Sequence, residues 1–232
     1  MYGFDSRVRY SEVDDKGEMM LSSVLNYFQD CSTFHSEDLG VGMRYLNDIG
    51  KLWVLSYWQI DIERYPSVCE TIRISTFPYD FKSFFGSRNF VMEDSEGNRI
   101  ALANSIWSFL DRETGRPERV PAKLIDTYQL EERLPMEYES RKILLAQGGR
   151  TEEPFQVKRF QIDSNHHVNN GQYVQMAMEY LPKEFRIRRM RAEYRKAALL
   201  HDTISPVVYE KDGCVAVSLN GANGAYAIVE FK

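Results

Sequence analysis

The chain has 232 residues, 43% hydrophobic and 27% charged, which is typical of folded globular proteins and not of disordered or collagen-like chains. Its 29 Lys and Arg residues against 34 Asp and Glu residues give a net charge of −5, which disfavours a protein that coats nucleic acid. No segment approaches the roughly 20 apolar residues that cross a bilayer, and no secretory signal opens the sequence. We therefore expect a cytoplasmic protein without a membrane partner.

In the first half, a polar loop around Asp14 leads into a predicted helix. Apolar residues recur at helical spacing from Leu21 to Cys31. Strand-like segments follow at residues 53–65, 71–77, 84–93 and 99–111, and residues 94–98 have the composition of a hairpin turn. Residues 117–149 are rich in charge and lack alternation, which indicates a linker.

The second half repeats this order. At an offset of 149 residues, Val13-Asp14 aligns with Ile162-Asp163, and apolar residues from Val174 to Leu181 again have helical spacing. The helix ends before Pro182, and Asn170 is a candidate N-cap. Strand-like segments lie at residues 185–197, 203–209, 214–219 and 225–231. Residues 70–72 match 202–204 at an offset of 132, so the first copy carries a 17-residue insertion around residues 36–50.

Two copies of one helix followed by antiparallel strands predict an α+β protein. Each half is a long helix wrapped by an antiparallel β-sheet. We place an N-terminal domain at residues 1–125, a linker at 126–150 and a C-terminal domain at 151–232.

The densest cluster of reactive side chains is the loop from Asp163 to Asn170, directly before the second helix. His167 is a candidate general base near neutral pH, Asn165 can donate and accept hydrogen bonds, and Asp163 can orient either. Helix N-terminal N–H groups can stabilise an oxyanion. Turn formation and capping explain such residues equally well in an arbitrary loop. The first copy, however, has Lys16 and Glu18 where the second has Asn165 and His167, which favours a single active site.

Other chemistries have weaker support. No nucleophile elbow or complete dinucleotide loop is present, and a zinc site would require dispersed residues to converge without motif spacing. Three widely spaced cysteines offer no disulfide framework. Residues 183–196 contain seven basic and two acidic side chains. This run fits a solvated strand face or the docking of an acidic partner through Arg188, Arg189 and Arg191.

Two blocks of the sequence, with two weaker matches, resemble the acyl-ACP thioesterase family. Residues 162–170, continuing to Tyr173, are similar to its D-x-N-x-H-V-N-N-x-x-Y block, and residues 103–111 with 114–116 are similar to its A-x-S-x-W strand and following turn. Residues 64–66 before Glu70 and residues 86–88 are weaker matches. The resemblance implies a tandem (double) hot-dog fold, with catalytic Asp163, Asn165 and His167 in the second domain and acyl-chain binding in the first.

One position departs from the family pattern. Where the family has a glutamate after the Tyr-Arg/Lys-Arg/Lys strand, Tyr194-Arg195-Lys196 is followed by Ala197. Glu193 has the same strand parity as Ala197 and is a candidate auxiliary carboxylate, although four strand residues span roughly 13 Å.

The leading hypothesis is hydrolysis of the thioester of a fatty acyl-[acyl-carrier-protein], which releases the free fatty acid and holo-ACP. It requires no cofactor or metal, takes acyl carrier protein as its partner and allows a homodimer. The alternatives are an acyl-CoA thioesterase or hydratase on the same scaffold, and a non-catalytic acyl-binding module, which the missing glutamate favours.

Overall fold

The computed structural model describes all 232 residues, which form two compact units. The first comprises residues 1–56 and 60–138, and the second comprises residues 57–59 and 139–232. The segment predicted as a linker, residues 126–150, is divided between them after residue 138. None of the helices combines the length and the apolar content that a membrane span requires.

The first unit is an antiparallel sheet with one principal helix. The strands lie in the order β1-β3-β4-β5-β2, and β1 is a strand that the sequence patterns missed. The elements are β1 (Tyr2–Arg7), α1 (Leu21–Asp38), α2 (Met43–Asp48), β2 (Lys51–Ile62), β3 (Thr71–Lys82), β4 (Phe85–Asp94), β5 (Arg99–Asp111) and α3 (Ala122–Thr127).

Helix α1 covers one face of this sheet because its apolar residues recur on one side. Leu25, Phe28 and Cys31 are fully buried. The ring of Phe28 lies 5.3 Å from that of Phe90 in β4, and Cys31 Sγ lies 3.7 Å from the carbonyl oxygen of Ile74 in β3. These contacts confirm the predicted helix-on-sheet packing.

The second unit repeats the architecture with a shorter helix. Its sheet has the order β8-β11-β10-β9-β6, and β7 also pairs with β9. Helix α4 has nine residues against eighteen in α1, so the insertion in the first copy lengthens α1 and adds α2. The elements are β6 (Arg150–Thr151), β7 (Phe155–Gln156), α4 (Asn170–Met178), β8 (Arg189–Tyr194), β9 (Thr203–Lys211), β10 (Cys214–Gly221) and β11 (Gly224–Phe231).

The two copies of the repeat share an equivalent backbone hydrogen bond. Met19 N donates to the carbonyl of Pro66 at 2.8 Å, and Val168 N donates to that of Ala198 at 2.9 Å. The donors are 149 residues apart and the acceptors 132, the two offsets read from the sequence. The repeat therefore describes the backbone as well as the residue pattern.

The buried amide of Asn89 in β4 anchors the last residues of the first unit. Its Oδ1 accepts from Leu134 N at 3.1 Å and from the Tyr138 hydroxyl at 3.0 Å, and its Nδ2 donates to the carbonyl of Ala103. The next residue, Glu139, belongs to the second unit, where its N–H donates to Gln59 Oε1 at 3.0 Å.

Candidate active site

The carboxylate of Asp163 organises the loop that precedes α4. Its Oδ1 accepts from Asn165 N at 2.8 Å and lies 3.4 Å from His167 N. The Asp163 N–H donates to the carbonyl of His167 at 2.8 Å, and His166 N donates back to the Asp163 carbonyl. The side chain and backbone of Asp163 therefore fix the backbone conformation of residues 163–167.

This arrangement leaves two functional side chains facing solvent. Asn165 and His167 are exposed, while Val168, which directly follows them, is buried. Asp14 organises the first copy in the same way, accepting from Lys16 N at 2.9 Å and from Glu18 N at 3.0 Å. One loop geometry thus presents an amide and an imidazole in the second unit and charged groups in the first.

The start of α4 differs from the prediction by one residue. The N-cap is Asn169 rather than Asn170, and its Oδ1 accepts from Gly171 N at 2.9 Å. Gln172 N donates to the Asn169 carbonyl. The cap therefore occupies the N–H groups of Gly171 and Gln172, and the exposed side chain of Asn165 offers a further hydrogen-bond donor for an oxyanion.

Ala197, at the position of the family glutamate, borders the loop. Val168 N donates to the carbonyl of Ala198. The equivalent bond of the first copy, from Met19 N to Pro66, lies beside an antiparallel bridge between Glu18 and Ser67, so Leu199, rather than Ala197, corresponds to the residue opposite His167. Ala198 N donates to the buried Tyr173 hydroxyl at 2.8 Å, which fixes this segment against α4. Burial raises the pKa of Tyr173 to about 12, so it stays protonated. Ala197 itself is exposed.

Glu193 does not supply the expected auxiliary carboxylate. Strand β8 ends at Tyr194, so the parity that linked Glu193 to Ala197 does not continue to that residue. The Glu193 carboxylate accepts from Ile143 N at 3.0 Å and pairs with Arg195 at 3.0 Å. Both interactions engage the Glu193 carboxylate in the packing of the second unit.

The predicted docking cluster on β8 is also revised. Arg191 is 5% exposed. Its guanidinium pairs with Glu230 at 2.9 Å and donates a hydrogen bond to Tyr57 Oη at 3.2 Å. Arg189 is partly buried against Glu139 at 3.3 Å. Only Arg188 has an exposed side chain. Arg191 is unavailable to a partner because it is buried and paired with carboxylates of its own unit. The sequence did not indicate this, since those carboxylates are distant along the chain.

A buried basic pair in the first unit was not found from the sequence. Arg88 of β4 is 7% exposed, and its Nη1 lies 2.9 Å from Nδ1 of His35 in α1. The guanidinium carbon also lies 5.5 Å from the centre of the Tyr128 ring. Burial, and next the Arg88 charge, lower the pKa of His35 to about 4. The residues are far apart in sequence and form no motif.

Comparisons with known proteins agree with this description. Family profiles for the acyl-ACP thioesterase N-terminal and C-terminal domains match residues 2–128 and 146–226. The solved acyl-ACP thioesterase of Bacteroides thetaiotaomicron is 25% identical, with a TM-score of 0.90 over 99% of this chain and 96% of that one. The 12:0-ACP thioesterase from Umbellularia californica shares the fold at 16% identity, with a TM-score of 0.88 over 100% of this chain and 96% of that one.

The fold is thus the tandem hot-dog fold, as the sequence predicted. The chain belongs to the acyl-ACP thioesterase family. The Arabidopsis thaliana protein oleoyl-acyl carrier protein thioesterase 2, chloroplastic, is 25% identical over 244 residues, covering 94% of this chain. The chain spans 65% of the length of that relative.

Proposed function

We propose that this protein hydrolyses the thioester of fatty acyl-[acyl-carrier-protein], releasing the free fatty acid and the carrier thiol. The observation that carries the proposal is the second-unit loop, in which Asp163 fixes the backbone while Asn165 and His167 remain exposed. Membership of the acyl-ACP thioesterase family supports the substrate class.

The chemistry follows from the donor and acceptor properties of these groups. Neutral His167 accepts a proton from water as the water oxygen attacks the acyl carbonyl. The Asn165 amide donates a hydrogen bond to the carbonyl oxygen as it becomes negative. The C–S bond then breaks, and the imidazolium returns its proton to the departing thiolate. Asp163 acts as a positioning residue and does not contact the substrate.

We assign the acyl chain to the first unit. Its helix is twice as long as α4, and the apolar side chains Leu25 and Phe28 of that helix are buried against the sheet that carries Phe90. A long apolar helix-on-sheet interface is the part of the fold best suited to an alkyl chain, since burying each methylene contributes about 0.8 kcal/mol.

The test uses the internal repeat as its control. Asn165→Ala and His167→Ala should each lower kcat on acyl-ACP by about 10²-fold or more, as loss of a positioned acid–base or oxyanion group does. Lys16→Ala, at the position equivalent to Asn165, should leave kcat unchanged. Thermal melts establish that all three variants fold.

Two outcomes would count against the proposal. Full activity in His167→Ala would show that the catalytic assignment is wrong. Wild-type protein that binds acyl-ACP without any turnover would favour a non-catalytic acyl-binding module. Hydrolysis rates measured in parallel on acyl-ACP and acyl-CoA show which of the two carriers the protein prefers.

A further inference from the structure

Two lysines flank the catalytic loop at positions where the first copy also has cations. Lys158 corresponds to Arg9 at the offset of 149, and Lys196 corresponds to Arg64 at the offset of 132. Duplication has therefore placed positive charge at the same two places of each unit. The two copies differ in what neutralises that charge.

In the first copy both cations are paired within the unit. Arg9 lies 3.6 Å from Glu12, and Arg64 lies 2.6 Å from Glu70 and 3.1 Å from Asp94. These carboxylates neutralise the guanidinium groups locally, so the surface around the first loop offers little free positive charge.

In the second copy the equivalent carboxylates are missing or occupied. Gln161 stands where the first copy has Glu12. Asp202 stands where it has Glu70, but its Oδ2 accepts from Leu199 N at 2.9 Å and from the Tyr226 hydroxyl at 3.0 Å. Lys158 and Lys196 are exposed, and neither is paired with a carboxylate; the Lys196 ammonium donates to the carbonyl of Asn223, which leaves its charge in place.

Exposed apolar side chains accompany these lysines. Phe160 is 77% exposed, Leu199 49% and Leu200 36%. Large apolar side chains together on a surface mark interaction sites more often than isolated ones do. Cations beside apolar groups are the composition expected of a surface that binds a charged protein partner.

Backbone hydrogen bonds bring these residues together beside the catalytic loop. Val157 N donates to the carbonyl of Asp202, and His201 N donates to that of Val157. The segment that leads to Asp163 therefore runs alongside residues 198–202. Val168 N, directly after His167, donates to the carbonyl of Ala198. We name this region the loop-flanking surface, comprising Lys158, Arg159, Phe160, Lys196, Leu199 and Leu200.

We propose that the loop-flanking surface docks the acyl carrier protein through an acidic face of that partner. This inference rests on the proposed function. The loop-flanking surface carries the three cations Lys158, Arg159 and Lys196, a local charge of +3 in a chain of −5, so the remainder carries −8. The neighbouring Arg195 is paired with Glu193 and adds no free charge. Long-range attraction would orient an acidic carrier with its thioester towards His167.

The experiment reverses charge at the surface and at matched positions elsewhere on the second unit. The double variant Lys158→Glu/Lys196→Glu should raise the Kd for an amide-linked, non-hydrolysable acyl-ACP by about tenfold or more at low salt, with a smaller difference at high salt. Lys183→Glu/Lys211→Glu changes the net charge equally on exposed residues outside the surface and should leave Kd within about twofold. Activity on a small acyl thioester without carrier protein should be the same for both variants.

Equal weakening in both double variants would mean that net charge alone acts, and it would overturn the proposal. Unchanged binding in Lys158→Glu/Lys196→Glu would overturn it as well. Because Kd is measured without turnover, wild-type protein that binds but does not hydrolyse acyl-ACP would refute the proposed activity and leave the docking surface in place.

Discussion

Gly17 and His166 occupy the same position in the two copies of the loop, and both have a left-handed backbone, with φ of +75° and +62°. Each N–H donates to the carbonyl of the aspartate that organises its loop, at 3.1 Å for Gly17 and 3.0 Å for His166. Glycine adopts this conformation without cost, whereas a side chain is strained there. The second unit thus maintains a strained residue directly before His167.

Replacing His166 by glycine should relieve this strain. We expect His166→Gly to raise the free energy of unfolding by about 1 kcal/mol in urea denaturation. The reciprocal variant Gly17→Ala should lower it by a similar amount, since its new Cβ would meet no atom within 4 Å and only the backbone conformation would be affected. Destabilisation by His166→Gly would show that the imidazole makes a compensating contact.

A carboxylate restored at position 197 should increase turnover. Ala197 is exposed, so a glutamate there has room, and it adjoins Ala198, whose carbonyl accepts from the N–H of Val168, the residue after His167. We expect Ala197→Glu to raise kcat on acyl-ACP severalfold, because a carboxylate that accepts from the imidazole or from the water favours proton transfer. Ala197→Gln, a neutral amide of the same size, is the control. Equal rates for the two variants would mean that charge at this position is irrelevant.

Removal of the buried Arg191 should reduce stability rather than partner binding. Arg191→Ala takes a cation from Glu230 and a donor from Tyr57 in a region that is closed to water. Because Glu230 keeps Lys232 at 3.5 Å, its charge is not left without a partner. We expect the free energy of unfolding to fall by about 1–3 kcal/mol, which urea denaturation measures directly. Arg188→Ala, an exposed neighbour, should stay within about 0.5 kcal/mol of wild type. A stable Arg191→Ala protein with weaker acyl-ACP binding would restore the docking role that the sequence suggested.

Stability should depend on the protonation of His35. Its pKa falls from 6.5 in the unfolded chain to about 4 in the folded one, so the unfolded state binds more protons between these values. The free energy of unfolding should therefore decrease as the pH falls from 7 to 5, by up to about 2 kcal/mol. His35→Gln keeps an acceptor for Arg88 without a titrating group and should lose this part of the pH dependence. An identical slope in wild type and variant would exclude His35 as its source.

The sequence predicted those parts of the molecule that depend on local patterns. The strand-like segment at residues 99–111 coincides with β5, and the two offsets reproduce equivalent hydrogen bonds. The sequence-based prediction failed where the burial and pairing of a side chain depend on residues that are distant along the chain. Arg191 was assigned to the surface because Glu139 and Glu230, which neutralise it, are distant in sequence. Glu193 was misplaced because a strand end is a weak signal, and β8 stops at Tyr194.

The interactions of Tyr138 and Glu139 determine where this polypeptide can be recombined. The Tyr138 hydroxyl satisfies the buried Asn89 amide, whereas Glu139 accepts from Lys232 at 2.9 Å. A chimaera joined upstream, at residue 125, would take residues 134 and 138, which donate to Asn89 Oδ1, from the other parent. If that parent lacks the tyrosine hydroxyl, the buried Asn89 oxygen loses a hydrogen bond, at a cost of about 1–3 kcal/mol. The Tyr138–Glu139 peptide is therefore the natural crossover for exchanging halves between related proteins. Residues 57–59, which group with the second unit, would have to be exchanged along with it.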